Sequence, residues 1–241
     1  MEFRNIVILT GAGISADSGL ATFRGADGLW EGHHVEDVAT PEAFRRDPAL
    51  VHQFYDARRA RLSEVEPNAA HRALARLDAE WPGELLIVTQ NVDDLHERAG
   101  SADVLHLHGQ LDAARCFDCA RPAGAVLELP EGAGDGKRIE PPLCSACGGP
   151  LRPGVVWFGE NLPEQALSQA FLAAADCDLL LSIGTSGVVQ PAAMIPGVAL
   201  EAGARVVHIN PQVTGAGHAR EFALAGKAGE LLPQLLREAF G

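Results

Sequence analysis

The sequence predicts an α/β protein in which a doubly wound parallel sheet carries a smaller inserted module. Three features indicate this class: short apolar runs recur along the chain, helical patterns lie between several of them, and two segments interrupt the alternation. Short runs that are continuously apolar and partly β-branched are typical of strands covered on both faces. Strands that alternate with helices favour a parallel sheet, because parallel neighbours need a crossover connection.

Five apolar runs are predicted strands, and three helical patterns accompany them. The strands cover residues 6–10, 85–89, 104–107, 179–183 and 205–209. Asn68 is a suitable N-cap for a helix that carries Leu74 and Leu77 on one face, and Pro163 suits the start of another helix. Leucines at helical spacing predict a third helix over residues 230–240.

The composition limits the partner and the compartment. The chain has 241 residues, of which 47% are apolar, and a net charge of −13, so it can bury a full core. An acidic chain without a basic stripe is not a nucleic-acid binder, and it suits a small molecule or a substrate carrying lysine or arginine. No run approaches the roughly 18 apolar residues of a membrane span, and no signal-peptide pattern opens the chain. We expect a cytoplasmic protein without membrane attachment, with a monomer as the starting expectation.

The first chemical motif covers residues 11–16 and directly follows the first predicted strand. Gly11 permits a tight turn, Gly13 permits a close backbone approach to phosphates, and Ala16 permits close packing of a following helix whose N-terminus faces anions. The pattern suits a dinucleotide, and a plain glycine turn before a helix is the alternative. Ordinary dehydrogenases carry an acidic ribose-binding residue about 20 residues further on, where this chain has a glycine-punctuated loop.

Four of the five cysteines form two pairs with metal-ligand spacing. The pairs are Cys116-x-x-Cys119 and Cys144-x-x-Cys147. Two short knuckles of this kind can deliver four thiolates to one tetrahedral zinc ion, and four thiolates fill its coordination sphere. The predicted zinc is therefore structural, and disulfides or free thiols are the alternatives. Cys177 is expected to be a packed residue.

These features divide the chain into two predicted domains. The sheet domain covers residues 1–25, 68–110 and 154–241. The smaller domain combines a helical, charged module over residues 26–67 with a zinc-binding module over residues 111–153, which is rich in Gly and Pro.

Polar side chains follow the second predicted strand at the point where it ends. Gln90, Asn91 and Asp93 come directly after the apolar run of residues 85–89. Polar groups at the carboxyl end of a buried strand usually face a ligand, so we predict a binding site at this edge of the sheet.

The nine histidines include one predicted general base. His106 and His108 alternate at the predicted strand of residues 104–107, so both side chains should point to one side. His108 precedes the glycine that ends the strand, and we predict it as the base, with His106 or His96 as the alternative. Structural or surface positions are expected for His33, His34, His52, His71 and His218.

The motifs occur in one order along nearly the whole chain. They are Gly11-Ala12-Gly13-Ile14-Ser15, Phe23-Arg24-Gly25, Thr89-Gln90-Asn91-Val92-Asp93, His108-Gly109, the two cysteine pairs, Gly184-Thr185-Ser186 and the strand that ends at Asn210. In this order they closely resemble the sirtuins, the NAD-dependent protein-lysine deacylases. The resemblance implies a Rossmann-like domain that binds NAD as co-substrate, a small domain with one structural zinc ion, and an acyl-lysine protein or peptide that enters between them.

The resemblance also implies a role for each matching residue. Those expected to bind NAD are Gly11, Ala12, Gly13, Ser15, Phe23, Arg24, Gln90, Asn91, Val92, Asp93, Gly184, Thr185, Ser186, Asn210, Pro211, Gln212 and Ala228. Those expected to pair with the substrate backbone, as an added strand does, are Val155, Val156, Phe158 and Gly159. Val92 stands where isoleucine is common, and no acidic residue follows Asn210; these departures affect pocket shape and adenosine affinity more than the catalytic step.

The implied chemistry uses three catalytic residues. The nicotinamide of NAD is a cationic leaving group, so its release needs orientation and charge stabilisation, which Asn91 and Asp93 would supply. The acyl oxygen of the lysine would attack the ribose C1′, and His108 would then draw a proton from a ribose hydroxyl. The products would be free lysine, nicotinamide and O-acyl-ADP-ribose. Ser15 lacks the G-x-S-x-G context of a nucleophile.

A narrower specificity is indicated by Tyr55 and Arg58, which are one helical turn apart. A hydroxyl and a guanidinium on one face can bind a carboxylate. The pair resembles the Tyr-x-x-Arg of class III sirtuins, which favour succinyl, malonyl and glutaryl groups, and the small Ala26 agrees with a wide pocket. The alternatives are a solvated basic helix face, an enzyme that is mainly a deacetylase, and, less favoured, an ADP-ribosyltransferase. A nicotinamide dehydrogenase and a zinc-ribbon binding module without catalysis are the other classes considered.

Overall fold

The structure, a computed structural model, describes residues 3–22, 30, 32–123, 138–212 and 217–240. The chain divides into two compact units. The first unit consists of Met1–Thr22, Glu66–Leu107 and Pro163–Gly241, and the second of Phe23–Val65 and His108–Leu162. Compared with the predicted domains, the second unit also takes in residues 108–110 and 154–162, whereas Glu66 and Pro67 belong to the first unit.

The described residues form eight strands. In chain order they are β1 Asn5–Thr10, β2 Glu84–Thr89, β3 Val104–His106, β4 Gly109–Cys116, β5 Leu151–Val155, β6 Leu179–Ile183, β7 Arg205–Asn210 and β8 Glu221–Ala225. The first unit holds a six-stranded sheet in the order β3-β2-β1-β6-β7-β8, and every pairing is parallel. The five predicted strands are confirmed, each to within one residue at its ends, and so is the predicted fold class.

Helices cover both faces of this sheet. In chain order the helices of the described residues are α1 Val35–Val38, α2 Pro41–Arg46, α3 Pro48–Ser63, α4 Ala69–Glu80, α5 Leu95–Ala99, α6 Glu164–Asp176, α7 Ile195–Ala202 and α8 Ala228–Phe240. On β1, Ile6 and Ile8 alternate with Val7 and Leu9, and all four side chains are buried. A strand buried on both faces is the mark of a doubly wound sheet. Among the described residues, no helix is both long and apolar enough to cross a membrane.

The N-terminus of α4 matches its prediction and ties the helix to the first glycine loop. Asn68 Oδ1 accepts a hydrogen bond from the Ala70 N–H at 2.9 Å, and the Asn68 N–H donates to His71 Nδ1 at 3.3 Å, which completes a capping box. Asn68 Nδ2 also donates to the Ile14 carbonyl at 2.7 Å. One side chain therefore starts the helix and anchors the loop after β1.

The second unit packs the long helix α3 on the antiparallel pair β4–β5. His52 on α3 contacts the Leu151 carbonyl at 2.8 Å, and the Arg59 guanidinium donates to the Leu111 carbonyl at 3.2 Å. Arg59 also forms a buried ion pair with Asp56 on the same helix. The segment predicted to be helical and charged therefore uses part of its charge inside the unit, because both members of this pair are buried.

Candidate functional site

The first glycine loop packs directly on the loop that follows β6. The Gly11 N–H donates to the Ile183 carbonyl at 3.0 Å, and the Gly13 N–H donates to the Gly184 carbonyl at 2.8 Å. A Cβ on Gly13 would lie 2.7 Å from Gly184 Cα, and Gly184 itself has a φ of +63°, so the packing of two loops requires glycine at both positions. The predicted helix after this motif is wrong: two short 3₁₀ turns, Ala12–Ile14 and Ala16–Ser18, follow instead.

Ser15 joins this loop to the polar residues after β2. Its hydroxyl donates to Asp93 Oδ2 at 3.0 Å and accepts from Asn91 Nδ2 at 3.2 Å. The Leu95 N–H donates to Asp93 Oδ1 at 3.2 Å. Burial raises the pKa of Asp93 above its ordinary value, although these hydrogen bonds oppose the shift. Both predicted catalytic residues of this loop are therefore held by one serine, which the sequence had indicated only as an NAD contact.

His71 is a buried neighbour of Ser15 that sequence reasoning treated as structural. Its Nε2 lies 3.5 Å from Ser15 Oγ, while its Nδ1 accepts from the Asn68 N–H. Burial lowers the pKa of His71 to about 4, so the ring is neutral at pH 7 and its hydrogen is on Nε2, facing Ser15. The capping-box position of His71, three residues after Asn68, was the available signal.

His96, an alternative for the general base, is buried next to the last residues of β1 and β2. Its Nε2 is 3.0 Å from Thr10 Oγ1, and Thr10 Oγ1 donates to Thr89 Oγ1 at 2.8 Å. The side chain is 1% exposed and its ring lies 5.0 Å from that of His71. Burial lowers the pKa of His96 to about 3. A ring with so little affinity for a proton is a poor general base at neutral pH.

These two neutral histidines predict acid lability. In the unfolded chain a histidine has a pKa of about 6.5, whereas burial lowers the folded values to about 4 for His71 and about 3 for His96. Below pH 6.5 these histidines bind protons in the unfolded chain but not in the folded protein. The free energy of unfolding therefore falls as the pH drops from about 6.5 towards the folded pKa values. For His71 alone the loss approaches about 3 kcal/mol at pH 4.

Urea unfolding between pH 8 and pH 4.5 measures this loss. The matched variant is His96→Gln, because the amide nitrogen of glutamine takes the place of Nε2 toward Thr10 and does not titrate. We expect the stability of this variant to depend less on pH than that of the wild type. Parallel curves for the two proteins would contradict the assignment of His96 as a neutral buried ring.

The arrangement of His106 and His108 differs from the prediction that both alternate on one strand. β3 ends at His106, and β4 begins at Gly109 with a φ of +76°, so His106 and His108 do not alternate on one strand. His106 Nδ1 lies 3.0 Å from the Asn91 carbonyl oxygen, and Nε2 lies 2.7 Å from Glu97 Oε1. Because each nitrogen faces an acceptor, both carry hydrogen, and the ring has no free lone pair with which to act as a base. This removes His106 as an alternative base.

His108 belongs to the second unit. The residue is half-buried, and its carbonyl accepts from the Val156 N–H at 2.8 Å. This bond joins the backbone of His108 to the residue that follows β5. The role of His108 as general base stays a prediction.

The ends of β2, β6 and β7 are linked by side chains predicted to bind NAD. Gln90 Nε2 donates to Thr185 Oγ1 at 2.8 Å, and Asn210 Nδ2 donates to the Thr185 carbonyl at 2.9 Å. Ser186, Pro211 and Gln212 lie exposed beside these contacts, and Ala228 is buried as the first residue of α8. In a parallel sheet these ends share one edge, which is where such folds bind ligands. Phe23, Arg24 and Ala26 lie outside the described residues.

The four paired cysteines form one cluster in the second unit. Their Sγ atoms lie within 4.8 Å of one another, with 3.4 Å between Cys116 and Cys147 and 3.9 Å between Cys119 and Cys144. A zinc ion bonded to four sulfurs at about 2.3 Å places the sulfurs about 3.8 Å apart. Backbone N–H groups of Cys119, Ala146 and Gly149 donate to three of the sulfurs at 3.4 to 3.5 Å. The donor set and its spacing fit a structural zinc ion.

Tyr55 and Arg58 both face the aromatic cluster of the second unit. Trp157 Nε1 donates to the Tyr55 hydroxyl at 3.0 Å, and Tyr55 is 1% exposed. The Arg58 guanidinium lies 4.2 Å from the centre of the Trp30 ring, in cation–π geometry. Burial raises the pKa of Tyr55, and the charge of Arg58 acts in the opposite direction. The Tyr55 ring and the Arg58 guanidinium therefore share two aromatic neighbours, Trp30 and Phe54.

The segment after β5 has several of its N–H groups engaged within the second unit. The Val156 N–H donates to the His108 carbonyl and the Phe158 N–H to the Ala39 carbonyl at 3.0 Å. Val155, the last residue of β5, pairs with Gly109 of β4, and Gly159 has a φ of +85°. The pairing of this segment with a substrate backbone stays a prediction.

Comparison with known proteins agrees with this geometry. The Sir2 family model matches residues 11–191. NAD-dependent protein deacylase 1 of Pseudomonas aeruginosa is 60% identical over 238 residues, which cover 98% of this chain and 95% of the relative. A solved Sir2 homologue in complex with NAD has a TM-score of 0.88 at 43% identity, covering 98% of this chain and 90% of its own. A Sir2 structure with a p53 peptide and NAD⁺ has a TM-score of 0.82 at 31% identity, covering 98% and 94%.

The first unit has a six-stranded parallel sheet whose polar strand ends are linked, and the second has a four-cysteine cluster. Together they define a Rossmann-like, NAD-binding class of protein with a structural metal module. Within that class the chain belongs to the Sir2 family, the sirtuins.

Proposed function

We propose that this sirtuin removes acidic acyl groups, namely succinyl, malonyl and glutaryl, from lysine side chains of proteins, and acetyl groups less efficiently. The broader activity, NAD-dependent protein deacylation, follows from family membership and from the names of the relatives. The observation that carries the narrower proposal is the hydrogen bond from Trp157 to the Tyr55 hydroxyl, at 3.0 Å. A deacetylase without acidic preference is the main alternative, and an ADP-ribosyltransferase is less favoured.

The direction of this hydrogen bond determines what Tyr55 can offer a substrate. An indole N–H can only donate, so the tyrosine oxygen accepts from Trp157 and the hydrogen of the hydroxyl points elsewhere. Burial raises the pKa of Tyr55, so this hydrogen remains in place at neutral pH. An O–H donor that shares aromatic neighbours with a guanidinium suits a carboxylate, which only accepts hydrogen bonds.

Trp157 is itself fixed, so the Tyr55 hydroxyl is held before any substrate arrives. The backbone N–H of Trp157 donates to Glu160 Oε2 at 2.8 Å, and the Arg152 guanidinium lies 3.3 Å from the centre of the indole ring. Arg152 Nη2 also donates to Glu160 Oε2, at 3.0 Å. This ion pair and the indole form a support for Tyr55, and preorganised donors bind charge at a lower entropic cost.

Arg58 supplies the positive charge of the proposed acyl site. Its guanidinium stacks on Trp30 and lies 5.6 Å from the Phe54 ring centre, so the cation is held at the aromatic cluster that also contains Tyr55. Arginine forms forked, charge-assisted contacts with carboxylates, and an acetyl group offers no carboxylate to receive them.

The catalytic roles follow the family chemistry and remain proposals for this chain. Asn91 and Asp93, held by Ser15, would orient the nicotinamide ribose as the acyl oxygen of lysine attacks C1′. His108 would then take a proton from a ribose hydroxyl, and that oxygen would attack the amidate carbon. Nicotinamide would leave in the first step. After the attack on the amidate carbon, a water molecule would add to that carbon, and free lysine and O-acyl-ADP-ribose would be released.

The proposed function is tested by product analysis. The protein is incubated with NAD and matched succinyl-, malonyl-, glutaryl- and acetyl-lysine peptides, and the products are identified by mass. We expect O-acyl-ADP-ribose only when NAD and an acylated peptide are both present. Absence of this product with every peptide would exclude deacylation, whereas equal rates on succinyl and acetyl peptides would exclude the acidic preference alone.

Arg58→Met is expected to lower the ratio of succinyl to acetyl activity by about tenfold or more. The variant keeps an apolar chain over Trp30 but loses a charge-assisted contact, which is equivalent to roughly 1.5 to 3 kcal/mol. Tyr55→Phe should shift the ratio in the same direction by less. The measurement is kcat/KM for both peptides in each variant.

Arg61→Met provides the matched control for this prediction. Arg61 lies one turn further along α3, where its exposed side chain pairs with Glu64 at 3.0 Å. We expect its succinyl-to-acetyl ratio to equal that of the wild type. An unchanged ratio in Arg58→Met would show that Arg58 does not bind the acyl carboxylate.

A further inference from the structure

His106 connects helix α5 to the loop that follows β2. On one side of the ring, Nδ1 lies 3.0 Å from the carbonyl oxygen of Asn91. On the other side, Nε2 lies 2.7 Å from Glu97 Oε1, and the His106 side chain is 8% exposed. The ring therefore has a defined partner at each nitrogen, and all the atoms belong to the first unit.

The chemistry of these two partners determines the charge of the ring. A backbone carbonyl and a carboxylate only accept hydrogen bonds, and a neutral imidazole can donate from one nitrogen only. Two such partners are satisfied together when both nitrogens carry hydrogen, as in an imidazolium. His106 and Glu97 thus form an ion pair whose cation also donates to the Asn91 carbonyl.

The surrounding charges agree with this assignment. Burial alone would lower the pKa of His106, but the hydrogen bond and charge of Glu97 outweigh it, so the pKa is raised. Asp93 acts in the same direction, whereas His96 on α5 is neutral because burial lowers its pKa to about 3. The pKa of Glu97 is lowered, since bonding to His106 outweighs burial.

We propose that His106 is a positioning residue, which holds the Asn91 carbonyl and so fixes the turn from Asn91 to Asp93 in the geometry that binds NAD. Glu97 orients the ring for this purpose. This inference rests on the proposed use of NAD, although it concerns binding and not the acyl group. The Asn91 and Asp93 side chains both meet Ser15, so a displaced Asn91 backbone would misplace two groups at once.

Two substitutions at position 106 separate positioning from simple packing. Asparagine places its amide nitrogen near Nδ1 and can keep the Asn91 contact, whereas glutamine places its amide nitrogen near Nε2 and can keep only the Glu97 contact. We expect H106Q to raise the Kd and the KM for NAD by about tenfold, and H106N to stay within about threefold of wild type, because one charge-assisted hydrogen bond is lost in the first case. Each variant loses one buried partner, so both should melt at similarly reduced temperatures.

Glu97→Gln tests the charge independently. Its side-chain amide can donate to Nε2, which leaves a neutral ring that still donates from Nδ1 to Asn91. We expect NAD affinity within about threefold of wild type. The nitrogen NMR spectrum, assigned through the backbone, should show an imidazolium at pH 7 in the wild type and a neutral ring in E97Q. A neutral His106 in the wild type would overturn the assignment without requiring any variant to fold.

His208→Gln is the matched control, because His208 Nε2 pairs with Glu221 Oε1 at 3.0 Å on the other side of the same sheet. Its NAD affinity should equal that of the wild type. Calorimetry with NAD gives the decisive comparison: equal weakening in H106N and H106Q, or no NAD binding by the wild type, would overturn the inference. The expected binding pattern together with an absence of deacylation would support the inference while excluding the proposed function.

Discussion

Replacing His108 by asparagine is expected to lower kcat/KM for NAD-dependent deacylation by about 10²- to 10⁴-fold, the usual contribution of a general base. The proposed base acts only after the acyl oxygen has displaced nicotinamide from the ribose. Labelled nicotinamide should therefore still exchange into NAD in the presence of acylated peptide, although product formation stops. The measurements are product formation and label exchange in the same preparation.

The control for this prediction is His34→Asn. His34 is also in the second unit, is exposed, and precedes helix α1. We expect its activity and melting temperature to match the wild type. If His108→Asn abolishes label exchange together with deacylation while the protein remains folded, His108 acts before nicotinamide leaves, and the proposed order of steps is wrong.

The parallel sheet could be predicted from the sequence because its central strands are buried on both faces. Continuous apolar runs such as residues 85–88 are typical of such strands. The edge strand β8 was missed because its apolar run, residues 222–225, is short and half made of alanine, which is depleted in strands, and because most of its residues are half-exposed. Edge strands need not be apolar on both faces.

The individual NAD-side residues could be named from their motifs, but not the bonds among them. Ser15 meets residues that are 76 and 78 positions away, Asn91 and Asp93, and no local pattern encodes such a meeting. The same holds for His71. Its capping position can be read from the local sequence, whereas its contact with Ser15 depends on how α4 packs against the glycine loop.

Strand alternation failed to predict how His106 and His108 are arranged. Alternation predicts a shared side only while the strand continues, and β3 ends at His106. The charge of His106 depends on Glu97, nine residues earlier, which helix α5 brings back to the strand. Similarly, helical spacing identified Tyr55 with Arg58 but not Trp157, which lies about a hundred residues away and orients the tyrosine hydroxyl.

Removal of zinc is expected to unfold the second unit and to abolish deacylation. The cysteine pairs bracket the pairing of β4 with β5, since Cys116 is the last residue of β4 and Leu151, its partner in the register, follows the second pair closely. Zinc binding of this kind contributes about 10 to 16 kcal/mol in small metal-dependent domains. Without the ion the four cysteines would take up protons, and the bonds that hold the two turns together would be lost.

Loss of zinc should also disturb the proposed acyl site, because Phe117, between the first two cysteines, packs near residues of that site. The centre of its ring lies 4.8 Å from that of Phe44 and 6.5 Å from that of Trp157, and Trp157 donates to Tyr55. We therefore expect Cys144→Ser to bind less than one zinc ion per chain, to melt earlier and to change tryptophan fluorescence. Metal analysis, melting curves and emission spectra measure these effects.

Cys177→Ser is the matched control for the zinc prediction. Cys177 is the fifth cysteine and belongs to the first unit, where its thiol donates to the Ala174 carbonyl. We expect this variant to retain one zinc ion and the emission spectrum of the wild type. Wild-type protein that is stripped of metal by a chelator yet keeps its melting curve would show that the four-cysteine cluster does not stabilise the unit, because the geometry of its sulfurs would then have no energetic consequence.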